Sequence, residues 1–321
     1  MWPLIKLLPQ KTNFLFVRYA RLAAVISLVA VIASIGRSVI PFELPCGGLN
    51  CGIDFKGGTV IELTTEPRPV DLAAARAALE RLDLGDVQVQ AFGAPSQALV
   101  RFQNPEGASG AQTVERVQAT LRQTLGEVTF TRTDVVGAKV SDELLKSGLM
   151  ALGFAIVLML VYIWFRFELQ FGIGAVVALF HDVILTFGVI AFLGLEFSLN
   201  TVAAILTVIG YSMNDTVVVF DRLRENLRKY KRMPLREVID LSINETLSRT
   251  IITGVTALLA LAGLAVFGGP TLFGMSIVLI FGIIIGTYSS IYVAAPVILL
   301  WGVKRFDEPA EPIKPPAGVR P

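Results

Sequence analysis

The chain has 321 residues, of which 54% are hydrophobic and 17% charged, with a formal net charge of +2 at neutral pH. That composition is too apolar for an ordinary soluble domain, and so small a net charge does not point to nucleic acid as a partner. Six stretches approach or exceed the roughly 18–20 apolar residues that a helix needs to cross a bilayer, so the predicted class is an α-helical polytopic membrane protein.

In chain order, residues 1–21 form a basic tail carrying Lys6, Lys11, Arg18 and Arg21 and no acid. The first span is expected at Leu22–Ile40, where Arg37 can snorkel to the headgroups. A basic start before an apolar run also fits a signal peptide. Five later spans and the lack of a clear small-residue cleavage site favour its retention. Residues 41–146 come next, with the only two cysteines, Cys46 and Cys51, at their start. In an oxidising compartment this spacing allows a small disulfide loop. With no histidine nearby, a metal site is not expected there.

Within that segment, Thr59–Thr65, Val87–Phe92, Ala98–Phe102 and Val128–Val135 read as strands, and Val70–Leu82 and Ala111–Leu125 as helices. Pro95 and the stretch Asn104–Gly110 supply breaks between elements. The order strand, helix, strand, strand, helix, strand is that of the small ferredoxin-like α+β unit. Gly57 and Gly58 permit a turn or a close backbone approach before the first strand. No catalytic constellation stands out here, and a binding or lever role is expected.

Five further spans are expected at Ser147–Phe165, Phe171–Leu195, Leu199–Phe220, Thr250–Phe267 and Leu272–Trp301, with a loop over 221–247 and a proline-rich tail in 302–321. The loop is basic, with Arg222, Arg224, Arg228, Lys229, Lys231, Arg232 and Arg236, and Lys304 and Arg305 follow the last span. Counting positive charge therefore places both termini in the cytoplasm and residues 41–146 outside it. Contact with anionic membrane lipids accounts for these basic flanks. Gly282 with Gly286, and Gly174 with Ala178, are small-residue steps that allow close helix packing against a partner the sequence does not identify.

Asp215 is the one formal charge in the run Leu199–Phe220. A charge at mid-bilayer costs roughly 2.5–3.5 kcal/mol on insertion scales, so the group needs a partner, a proton or water. Asn200, Thr207, Tyr211, Asn214, Asp215 and Arg222 recur at helical spacing, as do Glu245, Arg249, Thr253 and Thr256 at the entrance to the following span. Asp215 and Arg249 are expected at similar depth, paired or bridged by water. Two plainer readings remain: a static interhelical bond for Asp215, and snorkelling or pairing with Glu245 for Arg249. His181 and Asp182 form a second ionisable pair within a span, able to serve as a proton relay or as a buried structural hydrogen bond. Asp221 is expected in an interfacial cap or salt bridge, and Glu196 and Asn200 either line a proton entry or, the favoured reading, meet headgroups.

Four motifs carry a resemblance. Gly52-Ile53-Asp54-Phe55-Lys56-Gly57-Gly58-Thr59 follows the first span and Val136-Gly137-Ala138-Lys139-Val140-Ser141 precedes the second. Gly210-Tyr211-Ser212-Met213-Asn214-Asp215-Thr216-Val217-Val218-Val219-Phe220-Asp221-Arg222 lies in the fourth, and Asn244-Glu245-Thr246-Leu247-Ser248-Arg249-Thr250 leads into the fifth. Together they resemble the SecF family, which is similar to half of an RND-type transporter. The resemblance implies a multi-pass protein of the bacterial inner membrane that is not an enzyme and promotes export of a translocating polypeptide. It implies a SecD-like partner, the SecYEG channel and YajC/YidC-type accessory proteins. It also implies the proton gradient in place of any cofactor, proton-coupling roles for Asp215 and Arg249, and structural roles for Gly52, Asp54, Gly57 and Gly58. Two other classes stand against it. One is an RND-like exporter of lipids or small molecules. The other is an intramembrane aspartyl protease built on Asp182 and Asp215, which lacks a Gly-x-Gly-Asp motif.

Overall fold

The computed structural model describes residues 12–42, 45–85, 87–104 and 110–302. Lys6, Lys11, Lys304, Arg305 and the proline-rich tail Glu308–Pro321 lie outside them. A 3-10 turn, Phe16–Tyr19, runs into α1 (Ala20–Val39). Arg37, expected to reach for headgroups, donates instead to the carbonyl of Gly48 at 2.9 Å. That carbonyl belongs to a short loop closed by the Cys46–Cys51 disulfide.

β1 (Asn50–Cys51) and α2 (Ile53–Lys56) lead to a sheet domain made of β2 (Gly58–Thr64), α3 (Leu72–Glu80), β3 (Gln88–Phe92), β4 (Ala94–Phe102), α4 (Gly110–Leu125) and β5 (Thr129–Val136). The strands pair antiparallel in the order β3-β4-β2-β5, the ferredoxin-like arrangement. Alternation decides the layers. Ile61, Leu63, Val89, Ala98, Val100 and Phe102 on one face of the sheet meet Ala75, Leu79, Val117 and Leu121 from the two helices. Asp71 caps α3 by accepting from the Ala74 amide at 2.9 Å. Pro95 is not a break but the second residue of β4. It is tolerated because the β3–β4 register shifts there, leaving Pro95 outside the ladder, and its carbonyl accepts from Val70 at 2.9 Å.

The bundle comprises α5 (Ala138–Arg166), α6 (Leu169–Leu193), β6 (Glu196–Phe197), α7 (Leu199–Lys229), α8 (Leu235–Phe267), α9 (Gly269–Ser289), a π turn at Ser290–Ala294, and α10 (Ala295–Trp301). Among the described residues, six helices are long and apolar enough to cross a membrane, the last formed by α9, the π turn and α10. α6 and α7 form its centre, whereas α5 and α8 bury little of their surface. Phe154, Trp164, Leu259 and Phe267 are exposed, as befits a surface that meets hydrocarbon. Gly282 and Gly286 answer the packing question within this chain. Both face α7, Gly282 against Val208 and Gly286 so close to Ser212 that a Cβ there would stand only 2.9 Å from the serine's own. Gly174 lies against the backbone of Ala294.

The segment 221–247, expected as a loop, is largely helical. α7 continues to Lys229 and α8 begins at Leu235. There Leu223, Val238, Ile239 and Ile243 stay buried in the core, and polar bonds across the hairpin add to that packing. Arg222 Nε donates to Glu245 at 2.7 Å, and Asn226 donates to Glu245 at 2.7 Å and to Ser242 at 3.0 Å. Hydropathy marks where the lipid ends, not where the helix does.

The sheet domain is tied to one end of α7. The Asp54 carboxylate accepts from the first amide of that helix, Leu199 N, at 2.9 Å. β1 pairs in parallel with β6. Arg101 on β4 pairs with Glu196 at 2.7 Å, so Glu196 faces the sheet domain instead of headgroups. Gly57 and Gly58 turn the chain between anchor and sheet at φ +72° and +120°, and a Cβ on Gly58 would stand 2.7 Å from the Phe102 carbonyl oxygen.

Candidate functional site

α7 sorts its polar residues by face. Ser212, Asp215 and Thr216 are buried in the bundle, while Thr207 and Asn214 are exposed and Tyr211 is half-buried. Asp215 is 7% exposed. One of its oxygens, Oδ1, accepts from the Thr250 hydroxyl at 2.6 Å. The other, Oδ2, is buried without a hydrogen-bond partner among the described residues, with the Ser290 hydroxyl close by but not bonded to it. A carboxyl group in that setting is one that a proton, a cation or water must complete.

The polar stripe expected on α8 faces outward. Arg249, Thr253 and Thr256 are exposed. The threonine hydroxyls are satisfied by carbonyls of their own helix, Thr253 to Arg249 and Thr250 and Thr256 to Ile252 and Thr253, all at 3.0 Å. Arg249 has no such recourse. Its side chain makes no hydrogen bond or ion pair among the described residues, although its charge lies within electrostatic range of Asp215. The buried stripe is one residue further round the helix: Ser242, Thr246, Thr250 and Gly254, each four apart. Glu245 pairs with Arg222, not with Arg249. Asp221 pairs with Arg166 at 2.5 Å.

A second polar centre surrounds Asp182, which is 1% exposed. Its Oδ2 accepts from Ser212 on α7 and from Ser289 on α9, the latter at 2.6 Å. Its Oδ1 lies 2.8 Å from Nδ1 of His181. On the far side of the ring, Nε2 is 3.1 Å from Ser27 of α1. Sequence reasoning found His181 and Asp182 but missed Ser27, Ser212, Thr250, Tyr288, Ser289 and Ser290. Small hydroxyls are common in apolar helices, and only the adjacent pair Ser289-Ser290 offered a hint.

Among the described residues, then, six spanning helices enclose two buried aspartates, and an α+β domain is fastened to the central helix that carries one of them. This defines a polytopic membrane protein with an α+β domain fastened to its central helices. The family model for protein export membrane protein SecD/SecF, C-terminal, matches residues 116–304, and that for the SecD/SecF GG motif matches residues 47–67. The protein translocase subunit SecF of Rhodobacter capsulatus is 47% identical over 96% of this chain and 95% of its own length. That of Rickettsia bellii is 41% identical over 95% of this chain and 98% of its own. Among solved structures, SecDF of Thermus thermophilus, a translocon-associated membrane protein, superposes with a TM-score of 0.81 at 33% identity, covering 94% of this chain and 39% of that one. SecDF in its super-membrane-facing form gives a TM-score of 0.60 at 32% identity over the same share of each. The chain belongs to the SecF family of protein-export membrane proteins.

Proposed function

We propose that the chain is the accessory half of a proton-driven protein-export machine, joined in the bacterial inner membrane to a SecD-like half and working beside the SecYEG channel. YajC/YidC-type proteins complete the assembly in this reading. Both termini and the basic hairpin between α7 and α8 face the cytoplasm, and the sheet domain stands on the opposite side, where it meets the emerging polypeptide. The observation that carries the reading is the half-satisfied Asp215, buried next to a helix whose Arg249 is exposed and without a partner among the described residues. An arginine at the mouth of an apolar span is costly against lipid, so the face made by Asn214, Tyr211, Arg249 and Thr253 is where the second half docks. Proton binding and release at Asp215, with Arg249 approaching or withdrawing as the halves move, then shifts α7, and Asp54 and Glu196 pass the shift to the sheet domain.

Reconstitution with the partner and the channel in vesicles tests this. Asp215→Asn and Arg249→Met are each expected to lower gradient-dependent export at least about tenfold, equivalent to roughly 1.4 kcal/mol, Asp215→Asn while leaving assembly with the partner intact. Export at the unmodified rate in both variants defeats the proposal.

A further inference from the structure

The hydrogen bonds around His181 determine where its protons reside. Tyr288 donates its one hydroxyl proton to the Ala23 carbonyl at 3.0 Å, so Ser27, 2.9 Å from the same phenol oxygen, must be the donor to Tyr288. Ser27 then has no proton left for the ring. Its 3.1 Å contact with Nε2 therefore requires an N–H on that nitrogen. Across the ring, the 2.8 Å contact between Nδ1 and Asp182 Oδ1 must hold one more proton. If it sits on nitrogen, an imidazolium faces a carboxylate; if it sits on oxygen, both groups are neutral. Oδ2 accepts from Ser212 and from Ser289, whose single proton goes to the carboxylate at 2.6 Å and not to the Gly286 carbonyl at 3.1 Å, so the shared proton lies on the Oδ1 side. Either way the pair carries no net charge, the condition under which ionisable groups 6% and 1% exposed can occupy an apolar bundle.

We propose that His181 and Asp182 form a second proton-exchanging site, a net-neutral pair holding one shared proton, linked to Asp215 through α7 and the π turn. On α7, Ser212 donates to Asp182, and Thr216, one turn further on and next to Asp215, bonds Ser290 at 3.0 Å. At the start of the π turn, Ser289 donates to Asp182, while its neighbour Ser290 bonds Thr216 and donates to the Gly286 carbonyl at 2.9 Å. Single π turns are uncommon and concentrate at functional sites. A shift of α7 against this turn disturbs the bonding of both aspartates together. Of the side chains that contact the pair, Ser27 from α1, Ser212 from α7 and Ser289 from α9 do not titrate in this range, and Tyr288, whose ring stacks on His181 with centroids 6.1 Å apart, is a phenol. Within the apolar run of α7 the formal charge is Asp215, and at the mouth of that of α8 it is Arg249.

The inference rests on the proton-coupling reading of Asp215, and the two can be told apart. His181 is the only histidine in the chain, so nitrogen-15 NMR of the imidazole reports on this site alone in the full chain assembled with its partner in lipid. Nε2 is expected to stay protonated from about pH 5 to pH 8, while the Nδ1 signal moves with pH. Asp215→Asn should displace the midpoint of that movement by about one pH unit, a tenfold change in proton activity. Asp182→Asn, whose amide can donate to Nδ1, should abolish it. A pH-independent Nδ1 signal, a bare Nε2, or a midpoint unmoved by Asp215→Asn overturns the inference, and the first two are read on the unmodified chain. If Asp215→Asn stops export while the His181 signal stays fixed, this inference alone falls. If Asp215→Asn leaves export normal, the underlying reading falls with it.

Discussion

Asp182 is ringed by hydroxyl and imidazole partners, whereas Asp215 accepts from Thr250 on one oxygen and, among the described residues, makes no hydrogen bond with the other, near which the Ser290 hydroxyl lies. A buried acceptor that loses its last donor costs about 1–3 kcal/mol. Thr250→Val, which keeps the shape and deletes the hydroxyl, is therefore expected to lower gradient-driven export roughly tenfold, and Thr250→Ser to restore most of it. Equal export in the two variants would mean that the bond is irrelevant to turnover. In the sheet domain, Glu62 follows a different rule. Burial lifts its carboxyl above the usual range, the Arg132 guanidinium 3.9 Å away offsets part of that, and Asp134 adds to it. The folded state thus holds this proton more tightly than the unfolded chain, so the stability contributed by Glu62 is present at low pH and is lost as pH rises through the folded value. Glu62→Gln should remove that slope and raise stability near neutral pH by a few tenths of a kcal/mol, on the order of a surface ion pair. Hydrogen exchange of the β2 amides, corrected for intrinsic rates, measures both.

At the scale of elements, α8 shows how far spacing can be trusted. Two polar stripes lie side by side on it, Glu245-Arg249-Thr253-Thr256 and Ser242-Thr246-Thr250-Gly254, and periodicity ranks them equally. What separates them is size and self-sufficiency. Hydroxyls can bond a carbonyl one turn back and be buried, while an arginine cannot. Thr246, for instance, donates to the Ser242 carbonyl at 3.0 Å. The ferredoxin-like strand order was legible because a period of two leaves little freedom over short strands. The helical continuation through 221–229 was not, because its core-packed apolar residues, the buried Leu223 and half-buried Leu227, are sparse among charged ones and polar bonds between α7 and α8 complete the contact. The N-terminus of α7 depends on a residue far away in sequence, Asp54, whose carboxylate takes up the Leu199 amide. Asp54→Ala should cost about 0.5–2 kcal/mol, the range for a lost cap, and should raise hydrogen exchange over the first turn of α7 while leaving the Asp182 centre unchanged. Unaltered exchange at residues 199–202 would count against the cap.

For the whole molecule, the salt bridge between Arg101 and Glu196 fastens the sheet domain to the bundle. Arg101→Glu and Glu196→Arg should each loosen that joint and slow export several-fold, and the double exchange should recover a good part of it if the contact transmits force. Additive losses in a double-mutant cycle would assign the pair no coupling. The two-part plan, bundle and sheet domain, could be read from composition and pattern, since lipid-spanning runs and alternating strands leave different signatures. The joint could not, because its partners, Asp54 with Leu199 and Arg101 with Glu196, lie far apart in the chain and each looks ordinary alone. The exposed Arg249 has a bearing on supply as well as on mechanism. A solitary copy leaves a guanidinium on the open flank of its bundle, so the membrane itself penalises an unmatched subunit, and cells that make the two halves in unequal amounts should retain only as many of this one as find a mate.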